Sequence, residues 1–174
     1  MVTEDINIIT KNRRCTLEKV KIEEKEIFSL LTSKQISQIV EFAEVKDFEE
    51  GHIIYNPQEI ARDLYILLEG EVSLRVPSKK DLSFDSFSIE IEKITNHGQL
   101  FGTNLLFGLN KYMTRARVKK PSKIMIIHSE RFLQIIRENR SEFAVMSYLA
   151  KVYFQRYIDT MKELEERVDS DKNV

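Results

Sequence analysis

From Val45 to His128 the chain breaks into short segments rich in β-branched and aromatic residues, each bounded by glycine, proline, asparagine or aspartate. His52–Tyr55, Leu64–Leu68, Val72–Val76 and Phe87–Ile91 are too short for helices and have the composition of strands. This texture predicts an antiparallel sheet of short strands. Glu69-Gly70-Glu71 is expected to form a tight hairpin in which glycine takes a positive φ, and Gly51 and Gly98 hold similar positions. Two further strands are expected over 113–119 and 123–128, turning at Pro121-Ser122. Pro77 to Ser86 reads as an exposed hairpin loop in which Leu82 and Phe84 are the odd apolar members.

Helical periodicity flanks this region. Ile27, Leu30, Leu31, Ile36, Ile39 and Val40 recur at helical spacing around Thr32 and Ser33, with Gln35 placed for a capping box, so short helices are expected over about residues 24–43. Past the last strand the chain reads as helix to its end. With Phe143 as a d position, Ser147, Ala150, Phe154, Tyr157, Met161, Leu164 and Val168 follow at alternating a and d sites. Lys162, Glu163, Glu165, Glu166 and Arg167 keep the other faces in water, and a small sheet cannot cover so long a stripe. The expectation is a homodimer through Ala150, Phe154, Tyr157, Met161, Leu164 and Val168; the alternative is a stripe packed wholly on its own sheet. The chain divides into a polar N-terminal segment (1–22), a sheet domain with flanking short helices (23–140) and a C-terminal dimerisation helix (141–174).

Charge and composition exclude several functions. Lys and Arg number 27 against 28 Asp and Glu, so no whole-chain field would hold the protein on nucleic acid or an acidic membrane. Arg115, Arg117, Lys119 and Lys120 make a local basic strip that reads as a solvated strand end. The apolar runs are far too short to cross a bilayer, and Met1 to Asn12 carries acids where a secretory signal would be apolar, which points to a cytoplasmic protein without a membrane partner. One cysteine, Cys15, cannot form an intrachain disulfide or by itself furnish a thiolate metal site. His52, His97 and His128 lack close ligand spacing, so no metal is expected. No nucleophile elbow or phosphate-binding loop is present, and no catalytic residue and no enzymatic activity are expected.

Three stretches carry a family resemblance: Phe48-Glu49-Glu50-Gly51-His52-Ile53-Ile54-Tyr55, Asp63-Leu64-Tyr65-Ile66-Leu67-Leu68-Glu69-Gly70-Glu71-Val72, and His97-Gly98-Gln99-Leu100-Phe101-Gly102. Over about residues 25–168 the chain resembles the cyclic-nucleotide-binding domain family, in the form of the catabolite activator and fumarate-nitrate regulator sensory domains and of kinase regulatory subunits. The resemblance implies an α+β, mainly β fold: an antiparallel β-roll, a jelly-roll-like double-stranded β-helix, with N-terminal helices and a long C-terminal helix. It also implies a cassette after Phe101-Gly102, where helix-start amides and an arginine meet a cyclic phosphate and a glutamate holds the ribose.

At the glutamate position this chain has Thr103, and counted without a gap the arginine position is Tyr112. A gap of a few residues would bring Arg115 there instead. The ungapped register puts Ala116 and Val118 on one strand face and Arg115 and Arg117 on the other, as a half-buried strand requires. The candidate pocket comprises Gly102, Thr103, Asn104, Leu105, Tyr112, Met113, Thr114, Arg115 and, from the last helix, Tyr157. Gln58 stands where the family turns on glycine. The expected function is a sensory or regulatory module, in signal transduction or transcription regulation, whose cassette has diverged from ordinary cyclic AMP recognition. No cofactor is expected beyond a small effector, cyclic nucleotide or other. The alternatives are a true receptor using Arg115 and cassette amides, and a ligand-free protein-interaction module. No DNA-binding domain is expected within this chain.

Overall fold

The structure is a computed structural model describing residues 27–77 and 88–171, with side chains of the last helix described as far as Lys162. The segment 1–22 with Cys15, the loop residues Leu82 and Phe84, and the side chains of Leu164 and Val168 lie outside the described residues.

A 3-10 turn (Ile27–Leu30) leads into α1 (Ser33–Val40), which opens on the expected capping box: the N–H of Gln35 donates to the Thr32 hydroxyl and the N–H of Thr32 to Gln35 Oε1. The strands are β1 (Glu44–Phe48), β2 (Ile53–Tyr55), β3 (Asp63–Pro77), β4 (Ser88–Ile94), β5 (Leu100–Phe101) and β6 (Arg115–His128). They form one antiparallel sheet in the order β1-β6-β3-β4, with β2 on β6 and β5 on β3. The chain closes with α2 (Ser129–Glu138) and α3 (Glu142–Asp171), broken at Arg140, whose φ of 57° ends the regular helical path.

Two expected hairpins are absent. Leu64–Leu68 and Val72–Val76 are parts of the single strand β3, and the expected strands 113–119, from Arg115 on, and 123–128 are parts of the single strand β6; the two strands run antiparallel along nearly their whole lengths. Gly70 does have a positive φ, 100°, but it bends a long strand instead of reversing it. The pairing slips between Leu67 and Glu69, between Glu69 and Glu71, and between Glu71 and Val72, opposite Pro121-Ser122. The slips are β-bulges, which bend and twist a paired ribbon as a sheet rolls up. The Ser122 hydroxyl accepts from the N–H of Glu71 across the bulge (3.0 Å).

Both faces of the central ribbon are covered, which explains its nearly unbroken apolar runs. Leu64, Ile66, Leu68, Met125 and Ile127 pack against Ile27, Phe28, Ile36, Ile39, Phe132, Ile136, Val145 and Leu149 of the helical layer. Tyr65, Leu67, Val72, Leu74, Ala116, Val118 and Ile124 face the interior of the roll with Tyr55, Ile94, Phe101 and Tyr112.

Candidate functional site

The turn before β5 is built by one side chain. Gln99 Oε1 accepts from the N–H groups of Thr95 and Asn96, and the Gly98 N–H donates to the Leu67 carbonyl (2.7 Å), fixing β5 against β3 at Tyr65 and Ile66. At Gly102 the chain turns with φ 70°, and a Cβ there would lie 2.7 Å from the Tyr65 ring. Only glycine fits both the backbone and the space. A single 3-10 turn, Asn104–Phe107, follows and closes on Gly108 in the left-handed conformation.

Thr103 is buried and does not cap this turn; its hydroxyl meets that of Tyr153 on α3. Tyr112 is also buried. Its ring stacks on Tyr55 with centroids 3.9 Å apart, its hydroxyl donates to the Asp63 carbonyl (2.8 Å) and the Asp63 N–H donates back (3.2 Å). Tyr65 and Phe101 complete the group, stacked with centroids 5.2 Å apart. Burial pushes the phenols of Tyr55, Tyr65 and Tyr112 above their ordinary range, so all three are neutral hydroxyls.

Arg115 lies on the strand face opposite the buried Ala116 and Val118, directly across from Arg75, and its Nε donates to Asn56 Oδ1 (2.9 Å). Met113 projects outward, Thr114 is half-buried and hydrogen-bonds the Tyr55 hydroxyl, Asn104 is half-buried, and Leu105 packs against both core layers. Thr103 and Tyr112, the residues that the ungapped count from Gly102 sets at the acid and arginine positions of the resemblance, are both buried and both hydrogen-bonded within the chain.

Helix α3 closes the roll with a different tyrosine from the one singled out by sequence. Tyr157 is 59% exposed, whereas Tyr153, one turn earlier, meets Thr103 and sets its ring edge-on to Phe107 with centroids 5.3 Å apart. Arg156 stacks over the Tyr153 ring, its Nη2 donates to the Leu100 carbonyl (3.0 Å), and its Nε forms an ion pair with Glu92 Oε1 (2.7 Å). Sequence reasoning missed Glu92 and Arg156, because each looks like an ordinary surface charge until β4 and α3 come together.

A cleft of about 810 Å³ is lined by Glu44, Lys46, Phe48, Asp63, Ile126 and His128 among others, and shares only Tyr65 with the aromatic group. Among the described residues no three His, Cys, Asp or Glu side chains converge as a metal site, and no helix is long and apolar enough to cross a membrane.

Known structures place this architecture. The sensor domain of the transcriptional regulator DNR from Pseudomonas aeruginosa is 18% identical with a TM-score of 0.63, over 75% of this chain and 85% of that one. A putative cyclic nucleotide-binding protein from Geobacter metallireducens is 26% identical with a TM-score of 0.62, over 75% of this chain and 91% of that one. The catabolite activator protein of Thermus thermophilus is 18% identical with a TM-score of 0.60, over 82% of this chain but only 62% of its own. No curated protein matches the chain by sequence. The family model for the cyclic nucleotide-binding domain matches residues 45–139, from β1 to the end of α2. The chain thus belongs to the cyclic nucleotide-binding domain family.

Proposed function

We propose that this chain is a dimeric sensory module of the catabolite activator type in which the cassette is filled by the protein's own side chains and does not take cyclic AMP in the family's usual way. The observation that supports the reading is the burial of Tyr112, the residue that the ungapped count sets at the arginine position, with its hydroxyl bonded to the Asp63 backbone. An anion arriving there would displace a stacked aromatic ring and gain no charge in return. Hydrogen bonds to a charged group contribute about 1.5–3 kcal/mol each. Losing two removes much of the roughly 8 kcal/mol behind a micromolar affinity. The module then answers another effector or acts through protein contact alone. Variety of effector has precedent among structures of similar fold: the regulator CLP of Xanthomonas campestris is c-di-GMP responsive, and the regulatory domain of Toxoplasma gondii PKA was crystallised with cAMP.

Calorimetric titration with a panel of cyclic mononucleotides tests the reading. No binding is expected at tens of micromolar. Tight binding that survives physiological salt and is lost in Arg115→Ala would overturn it in favour of a true receptor.

A further inference from the structure

The cleft of about 810 Å³ follows from the alternation of the sheet. Glu44 pairs with Ile126 and Ile126 with Tyr65, and two residues along the ribbon Asp63 pairs with His128. Side chains two apart on a strand share a face. Alternate residues of β1, β6 and β3 therefore line the cleft, while Val45, Met125, Ile127, Leu64 and Ile66 between them pack on the helical layer. The floor is apolar: Phe42, Phe48, Ile54 and Ile126 are half-buried, and Tyr65 is buried.

The charges around that floor lean toward acid. Three carboxylates, Glu44, Asp63 and Glu130, face two cations, Lys46 and Arg131. Both cations are engaged: Lys46 Nζ is paired with Glu44 (2.6 Å), and the Arg131 guanidinium lies over the Phe42 ring, 5.0 Å from its centre. Asp63 is half-buried where Glu44 and Glu130 are exposed. Its backbone N–H and carbonyl are both bonded to the Tyr112 hydroxyl, which fixes its position. Burial raises the Asp63 carboxyl above its ordinary range, and the charge of Glu44 adds to the rise while His128 and Lys46 oppose it. Beside it, on the ring that forms the cleft wall, His128 Nδ1 is buried with no hydrogen-bond partner among the described residues. An orphaned buried nitrogen costs stability and calls for a partner.

We propose that this cleft binds a small organic cation, an ammonium group carried on an apolar or aromatic body, with the charge at Asp63 and the body on Phe42, Phe48 and Ile126. The volume is that of a small-molecule site. An ammonium brings one positive charge and three N–H donors, which suit the half-buried carboxylate and supply the donor that His128 Nδ1 lacks. The aromatic floor attracts the same charge and covers the body. A bare metal ion does not fit, because among the described residues no three His, Cys, Asp or Glu side chains converge. The proposal goes beyond the function argued above, since the cleft shares only Tyr65 with the aromatic group of the cassette.

The probe is 2-phenylethylamine, with 2-phenylethanol and phenylacetate as its uncharged and negative counterparts. Calorimetric titration of the full chain should show submillimolar binding of the amine and binding at least about tenfold weaker for the other two, the change expected when a charge-assisted hydrogen bond is lost. Asp63→Asn removes the charge and keeps the backbone bonds to Tyr112, and should weaken the amine about tenfold. Lys46→Gln, at an exposed side chain, leaves Glu44 unpaired and should tighten the amine severalfold, a gain that damage to the fold would not produce. If Asp63→Asn loses its melting transition, Lys46→Gln alone decides. No binding at millimolar amine, equal binding of 2-phenylethanol, an affinity unmoved by Asp63→Asn in a folded chain, or one unmoved or weakened by Lys46→Gln would each overturn the site. Cyclic AMP binding in the titration above would overturn the proposed function and leave this site standing.

Discussion

Gly70 shows how little room one position can leave. A Cβ there would lie 2.2 Å from Ser122 Oγ, 2.5 Å from the Pro121 carbonyl and 2.6 Å from Ser122 Cα, two of them backbone atoms that cannot swing aside. Gly70→Val adds the strain of a β-branched residue at positive φ, so the expected loss is about 3 kcal/mol, roughly 10 °C in melting temperature by calorimetry. Gln58 makes the opposite case. Its φ is 70° and its N–H donates to the Tyr112 carbonyl (2.9 Å), so the turn is held by its bonds in spite of its side chain. Gln58→Gly should raise stability by about 0.5–1 kcal/mol, the relieved left-handed strain offset in part by a freer unfolded chain. Tyr112→Phe keeps the stack on Tyr55 but strands both polar groups of the Asp63 backbone, and should cost about 1–2 kcal/mol on the same scale. That Tyr112 is the residue an ungapped count from Gly102 sets at the arginine position was legible in the sequence. Its hydrogen bonds were not, since Asp63 lies 49 residues away.

Among elements, α3 carries the clearest unfinished surface. Val145 and Leu149 face the core, while Phe143, Phe154, Tyr157 and Met161 are respectively 85%, 66%, 59% and 39% exposed, along the stripe that the heptad pattern marks out. Burying side chains of this size contributes about 1.5–3 kcal/mol each, enough in gross to exceed the cost of association. Phe154→Asp with Tyr157→Asp should therefore leave the fold intact, because neither residue is buried in the chain, and should halve the mass measured by light scattering; a monomer mass for the unmodified chain at tens of micromolar would sink the dimer. The helix and its capping-box predecessor α1 were readable because their signals are local: periodicity and a side chain three residues from its partner. The strands were half readable. Apolar, β-branched segments marked where β3 and β6 lie, but a glycine with positive φ serves a hairpin and a bulge equally, and the choice depends on whether the partner is the next segment or a distant one. Composition carries no record of that distance.

For the molecule as a whole, the family resemblance supplied the roll, and the comparisons bear that out over β1 to α2. What eluded the sequence were contacts between segments far apart in the chain, Thr103 with Tyr153 and Glu92 with Arg156 among them. The same remoteness governs how the protein must assemble. The partners in the central ribbon are separated by between 40 residues (Arg75 with Arg115) and 65 residues (Asp63 with His128). Closing loops of that size is entropically costly before any contact rewards it, which slows folding to the millisecond-to-second range seen for non-local β topologies. Stopped-flow refolding should show that rate, and a chain terminated before Arg115 should show no cooperative melting. During synthesis, then, β3 leaves the ribosome complete and apolar on both faces, and it waits for some fifty further residues before the strand that covers its edge exists.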